Sequence, residues 1–465
     1  MKTGWRETLR CLRSAASERI PAPQTVKKVP APPQRGVPSL AAVGLQVLFV
    51  TADFPWPPSA GGPIRTLSQI RVLASLPEVE RVRYFGLRER EVSDADCAAL
   101  AREIPKLEVL APVFHPIHLF AYPRYVPRVA WLRLFGVPYL AGKWDSPAVR
   151  SEFERALAEP WDVVWFSGLG MCRYLPLVRR LQPNAHIVLD QHDVENDKFA
   201  QLVRRHHGMK KLAAEIEWRA ARRYERDVLR AVDAVAAISD DDARVFAGLA
   251  AVDAVTIPQV VPFARRPQST TTDARFCYAG NLRWTPNVRG LDWFCREVWP
   301  QIRSRIPEAT FEIAGTRLPL DASGHPIPRP AWRVPGVITL GFVPDLGSLY
   351  ERSVAITAPS FGGTGVRVKL LEAFRHGLPV VTTPDGAAGL SIEGGREAFI
   401  ESDPREFAAR AVELATSPET RERLREAAYA YLARRHAIGV AQAAVRRVLA
   451  RTTSMGERAR RGAAA

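Results

Sequence analysis

Between Gly362 and Glu372 the chain sets Gly362, Gly363 and Gly365 ahead of Arg367, Lys369 and Glu372. Glycines at that spacing let backbone N–H groups converge on a ligand that side chains would hold off. The two cations behind them supply charge for an anion such as a diphosphate. Val354 to Ala358, just before, is a short apolar run of the kind that forms a strand buried on both faces. After the glycines, Val366, Leu370, Leu371 and Phe374 recur at helical spacing, Gly377 closes the helix and Pro379 opens the next strand. A helix start carries unpaired N–H donors and partial positive charge, so this order of elements predicts an anion site. Glu372, about six residues into the helix and roughly 9 Å along it, suits a ribose whose diphosphate sits at the helix start. The competing reading makes Lys369 and Glu372 an ordinary i,i+3 surface pair.

The segment GGTGVRVKLLEAFRHGLPVVTT resembles the donor-binding segment of the retaining glycosyltransferases of family 4, which have the GT-B fold. The resemblance implies a ribose contact for Glu372, diphosphate contacts for Arg367 and Lys369, and a close approach of Gly363, Thr364 and Gly365 to the donor. Thr364 stands where the family usually has a second glutamate, for the donor sugar, so this chain is closer to the branch with a Gly-rich turn and Arg-x-Lys. That substitution also leaves room for a degenerate, inactive transferase. Upstream, FCYAGNLRWTPNVRGLDWF resembles the opening of the family's second domain, with Gly280 near the phosphates. Asn281 and Asn287 occupy the places of the family's diphosphate-binding Arg and Lys. Arg283 or Arg289, with Arg367 and Lys369, are the candidate substitutes. Gly315 matches a glycine near the base pocket, and backbone groups of Phe342 and Val343 match the loop that reads the nucleobase edge. GAAGL (Gly386 to Leu390) is another glycine loop of the family kind.

The elements that must position these residues alternate between strand and helix, which predicts a mixed α/β chain. LQVLFVTA, from Leu45, reads as a buried strand, followed by a glycine-containing loop and a helix carrying Ile64, Leu67, Ile70 and Leu73. That is the opening unit of a Rossmann-like domain. Gly61 and Gly62 lie where the family keeps its first-domain glycines; a plain tight turn explains them equally. Strands are expected at Val82–Leu87, Leu107–Pro112, Trp161–Ser167 and His186–Asp190. The last runs into DQHDVEND, which resembles an Asp-x-His-Asx-x-Glu run of the family and makes His192 the candidate for a donor-sugar or acceptor contact. A histidine that simply packs a loop is the alternative. Two Asp-x-Asp runs, Asp94 to Asp96 and Asp240 to Asp242, sit at predicted helix starts, the second directly behind Ser239. They read as caps, and no catalytic metal or other cofactor is expected.

The expected architecture is therefore GT-B: two Rossmann-like domains with parallel sheets facing a cleft. Residues 1–44 form a basic, Pro-rich disordered leader, whose Trp5, Leu9 and Leu12 could alternatively line a short basic helix. Residues 45–258 form the acceptor-side domain, 259–274 the linker, 275–450 the nucleotide-sugar domain and 451–465 a disordered basic tail.

With 465 residues, 47% hydrophobic and 25% charged, the chain has the composition of a folded soluble protein of two domains. Its formal net charge of +16 favours anionic partners. The passage Phe114 to Trp144 interleaves Phe, Tyr and Trp with Arg124, Arg128, Arg133 and Lys143. It is read either as a docking face for an anionic membrane or as a packed helix pair with solvated arginines. The five cysteines, Cys11, Cys97, Cys172, Cys277 and Cys295, are odd in number and lack metal-ligand spacing, which predicts reduced thiols in a reducing compartment. The absence of a signal-peptide core or an apolar span predicts a cytoplasmic protein, with the inner membrane face as a possible contact.

The resemblance implies transfer of a sugar from a UDP- or GDP-sugar to a lipid-linked or polysaccharide acceptor, with retention and without metal. Two rival readings stay open: a nucleotide-sugar epimerase of the same fold, and a basic nucleic-acid-binding α/β protein. Nucleic acid is not the expected partner, because no zinc-finger or RNP-type signature accompanies the charge. A NAD-dependent dehydrogenase is disfavoured because no G-x-G-x-x-G follows the first strand.

Overall fold

The computed structural model describes residues 44–58, 61–88, 92–115, 125–266, 273–363 and 365–463, with side chains through residue 450. Almost all of the leader, residues 116–124 of the aromatic passage, the middle of the expected linker and Thr364 lie outside the described residues.

The chain divides into two units, one ending at Ile257 and regaining the chain from Gln442, the other spanning Pro258–Ala441. In the first unit, β1 (Leu45–Thr51), β2 (Val79–Phe85), β4 (Leu107–Val109), β6 (Val163–Ser167), β7 (His186–Gln191), β8 (Ala234–Ala237) and β9 (Ala254–Thr256) form a parallel sheet. Its order is β4-β2-β1-β6-β7-β8-β9. Two short strands, β3 (Leu87–Arg88) and β5 (Val113–Phe114), pair beside it. Val47, Leu48, Phe49 and Val50 of β1 are wholly buried. Successive strand residues point to opposite faces, so this run must be covered on both, as the unbroken apolar pattern requires. Each such side chain contributes about 1.5–3 kcal/mol by leaving water.

The strands of the second sheet are β10 (Arg275–Asn281), β11 (Thr310–Thr316), β12 (Val337–Gly341), β13 (Ala355–Ala358), β14 (Val380–Thr382) and β15 (Phe399–Ile400). They run in the order β12-β11-β10-β13-β14-β15, again parallel. The helix expected after β10 forms with a π-turn at Phe294–Val298. Pro300 cannot donate a helical hydrogen bond, and the wider turn ends two residues before it, at Val298. Leu291, Phe294, Val298 and Ile302 are fully buried on its inner face.

In both sheets the strand order reverses once. The chain leaves β1 to one side and returns to its other side as β6; it leaves β10 and returns as β13. At such a switch point the connecting helices diverge and open a crevice at the carboxyl ends of the strands.

Three expected boundaries differ. The start of the expected linker packs into the second unit: the Val261 N–H donates to His436 O at 3.1 Å, and Val261 is buried. The second unit ends near residue 441 rather than 450. From Gln442 the last helix lies on the first unit, where Arg446 Nε meets Glu78 Oε1 at 2.6 Å and Val445, Val448 and Leu449 are buried. That helix spans Ile438–Ala463 and so takes in most of the stretch read as a disordered tail.

Candidate functional site

At the first switch point Thr51 and Ser167, the last residues of β1 and β6, are register partners. Asp190, near the end of β7, is fully buried and accepts from Arg65, whose Nη2 lies 2.7 Å from Oδ1 and whose Nε lies 3.3 Å from Oδ2. Burial pushes the Asp190 carboxyl up, but Arg65 and His192 outweigh it and hold the group below its ordinary range. His192 Nε2 is 2.9 Å from Ser167 Oγ and 3.4 Å from Asp190 Oδ2. The histidine therefore sits at the carboxyl end of the sheet with one ring nitrogen tied down, part-exposed.

A second carboxylate fixes the loop that follows. Glu225, 0% exposed, accepts from the N–H groups of Glu195 and Asn196 at 2.9 and 2.8 Å and so caps the helix Glu195–Arg205. Burial pushes its pKa up to about 7. Gly61 and Gly62 are the exposed first residues of the helix Gly61–Ser75. A Cβ on Gly61 would meet nothing within 4 Å, and one on Gly62 only Asp53 Oδ2 at 3.6 Å. Their backbone therefore does not demand glycine, and open space lies above it.

The Asp-x-Asp runs are caps. Ser93 and Asp96 form a capping box, and Ser239 Oγ accepts from the Asp242 N–H. Cys97, Cys172, Cys277 and Cys295 are free thiols.

The second switch point gathers most of the residues read from the sequence. Gly280 and Asn281 end β10, and the glycine turn follows β13. Lys369 Nζ donates to Tyr278 Oη at 2.6 Å and to Asn287 Oδ1 at 2.8 Å, and lies 4.3 Å from the centre of the Tyr278 ring. Both partners are neutral, and among the described residues Lys369 makes no ion pair. A Cβ on Gly280 would stand 3.3 Å from the ammonium, so glycine leaves it room. Loss of hydration on burial, and then repulsion by Arg367, push the Lys369 pKa from 10.5 down to about 7.

Arg367 is buried. It donates to the carbonyls of Gly362 at 3.0 Å and Asp385 at 3.1 Å, and its guanidinium lies 5.1 Å from the Trp284 ring centre. Gly363 has φ +95°, and a Cβ there would stand 2.6 Å from the same indole. Only glycine lets the turn lie against Trp284. Gly365 also has positive φ, at +77°.

Several expectations change. The helix begins at Val368, two residues later than the apolar spacing suggests, because Arg367 at its N-cap turns inward to bind the loops. Lys369 and Glu372 do not form the surface pair that was the alternative reading; Glu372 Oε2 instead accepts from Arg375 Nε at 2.7 Å. Asn281 is an exposed turn former whose Oδ1 accepts from the Arg283 N–H at 2.9 Å, and Arg283 is exposed. Asn287, in the other vacated place, holds Lys369. Gly315 has a packing reason: a Cβ would stand 2.1 Å from the Gly280 carbonyl oxygen. Phe342, 69% exposed, and half-buried Val343 follow β12 at the carboxyl end of the sheet. Sequence reasoning missed Tyr278, Trp284 and the Arg65–Asp190 pair, which carry no local signal.

The aromatic passage forms the helices Val126–Leu134 and Tyr139–Gly142, packed through Val129, Leu132 and Ala141. Its described arginines are paired: Arg128 with Asp145 at 2.6 Å and Arg133 with Glu217 at 2.9 Å.

Residues 273–417 match the family model described as Glycosyl transferases group 1. A Klebsiella pneumoniae protein, described as an uncharacterized 44.6 kDa protein in the cps region, is 25% identical over 161 residues, which are 33% of this chain. The match spans 41% of that relative's length. Among solved structures, TarM superposes with a TM-score of 0.62 at 9% identity, over 89% of this chain and 99% of TarM. Anabaena HepE, solved in complex with UDP, gives 0.57 at 14% identity over 87% of this chain and 99% of that one. Over residues 273–417 the second unit is thus similar to the group 1 glycosyl transferases, and the two parallel-sheet units have the fold of the GT-B glycosyltransferases.

Proposed function

We propose that the protein is a glycosyltransferase that moves a sugar from a uridine or guanosine diphosphate sugar to a lipid-linked or polysaccharide acceptor. The transfer retains configuration and uses no metal. The observation that carries this reading is Lys369: a cation with only neutral partners at a switch point beside a glycine turn. As the bond from sugar to diphosphate breaks, negative charge grows on the leaving group. The Lys369 ammonium and the backbone N–H groups of the turn and helix start are the groups that oppose it. Arg367 braces the turn. Glu372 binds the ribose, the backbone at Phe342 and Val343 reads the base, and His192 is the first unit's candidate for a sugar or acceptor contact. The Asp-x-Asp runs that a metal-dependent transferase would use are occupied as helix caps. That HepE has also been solved with UDP-glucose supports uridine as the base tested first.

The test is a thermal-shift panel of UDP, GDP, ADP and NAD on the wild type and Glu372→Ala. A ligand at 100 times its Kd adds about 2.7 kcal/mol of stability. One diphosphate should stabilise the wild type, and most of that gain should vanish in Glu372→Ala. The side chain's pair with Arg375 is part-exposed, so the substitution itself should cost under about 0.5 kcal/mol. Indifference to every nucleoside diphosphate would overturn the reading.

A further inference from the structure

The first unit projects a helical hairpin whose tip is not explained by sugar transfer. The helices Glu195–Arg205 and Gly208–Ala231 pack together and are joined through His206 and His207. From His207 to Ala213 every residue is exposed, so the second helix begins clear of the unit's body. Large apolar side chains lie on that tip: Met209 is 80% exposed, Leu212 51%, Ile216 56% and Leu202 37%. Met209, Leu212 and Ile216 are three and four residues apart and share one face of the helix. From Lys198 to Ala214 there is no Asp or Glu. Arg204, Arg205, Lys210 and Lys211 flank the apolar face, and among the described residues none of them pairs with a carboxylate.

We infer that this hairpin tip docks the protein on an anionic lipid bilayer. The apolar side chains would enter the headgroup boundary while the cations meet lipid phosphates. Exposed apolar area costs free energy in water and regains it at a bilayer interface, and the basic flank selects anionic headgroups over neutral ones. A nucleic acid would match the charge but leave Leu212 and Ile216 without a role. In the described part of the Phe114–Trp144 passage, Arg128 and Arg133 are already paired with carboxylates, which leaves them less to offer a lipid phosphate. This inference is independent of the sugar-transfer reading, since it needs no nucleotide.

The experiment is flotation of the full chain with vesicles of phosphatidylcholine alone or with phosphatidylglycerol, at low and high salt. The wild type should float with the anionic vesicles only, and less at high salt. Near such a surface each basic residue is worth about a factor of five, so Lys210→Glu with Lys211→Glu should weaken binding at least about 25-fold. Leu212→Glu with Ile216→Glu should weaken it as strongly at any salt concentration. All four side chains are exposed, so both variants should melt with the wild type. Failure of the wild type to bind anionic vesicles would overturn the inference. Equal binding by both variants, or binding to DNA or to a second copy in place of vesicles, would overturn it too.

Discussion

The two switch points share a topology and differ in how they treat positive charge. In the first unit the buried cation, Arg65, is answered by Asp190 through two hydrogen bonds, and His192 lies against the same carboxylate. In the second, Lys369 is answered only by a phenol and an amide. A buried pair in good geometry largely offsets its own desolvation and has little left to offer a ligand. A cation held by neutral groups keeps its desolvation cost until an anion arrives, and that stored cost is what a diphosphate would relieve. One switch point is closed electrostatically; the other is open to an anion.

The largest expected effect comes from opening the closed crevice. Asp190→Asn leaves Arg65 buried without a counter-charge and should destabilise the protein by about 3–5 kcal/mol, read from denaturant midpoints. Replacing both partners with apolar residues, Arg65→Met with Asp190→Leu, should cost far less. If the single variant proves as stable as the wild type, the two crevices do not differ as described.

Removing the charge from the open crevice should have the opposite balance. Lys369→Met should leave stability unchanged or slightly raised, yet weaken UDP binding about a hundredfold, the worth of one charge-assisted contact of about 2–3 kcal/mol. Its pH signature sharpens the comparison. The folded pKa lies below the unfolded one, so from about pH 7 to 10.5 the unfolded chain holds more protons and stability rises with pH. Diphosphate binding needs the charged form, so UDP affinity should fall about fivefold from about pH 7 to 8 by titration calorimetry. Both trends should vanish in Lys369→Met. A variant that binds UDP as the wild type does would remove Lys369 from the site, and with it the observation that carries the diphosphate reading.

The smallest effect belongs to Gly62→Ala. The new methyl group finds open space, so the melting free energy should move by less than about 0.5 kcal/mol. A larger loss would mean that the helix start in the first unit is packed against something and is not a free surface.

Much of this was legible before any coordinates. The strand LQVLFVTA and the run ending at Ala358 announced themselves because a strand covered on both faces needs an unbroken apolar run, which is a local property. The glycines at 363 and 365 announced a glycine turn for the same kind of reason, and both have positive φ. Ser239 was legible as a cap, and Asp94 to Asp96 as a helix start, because a cap reaches only about three residues. Less legible was the fate of the cations. Arg367 and Lys369 look alike in the sequence, yet one turns into the loops and the other into the crevice. The alternative Lys369–Glu372 pair lost to partners that no window around Lys369 contains.

By itself, then, the sequence determined the alternation of strands and helices, the helix caps and the glycine turn, because backbone sterics and hydrophobic period act within a few residues. It did not determine which charges find partners. Arg65 and Asp190 lie 125 positions apart, Lys369 and Asn287 82, Lys369 and Tyr278 91. Only the crossing order of the strands brings such residues to one crevice. Whether a cation at a switch point is met by a carboxylate, as buried Arg65 is, or by neutral groups, as half-buried Lys369 is, was decided there, and with it the difference between a crevice that is already neutral and one that calls for an anion.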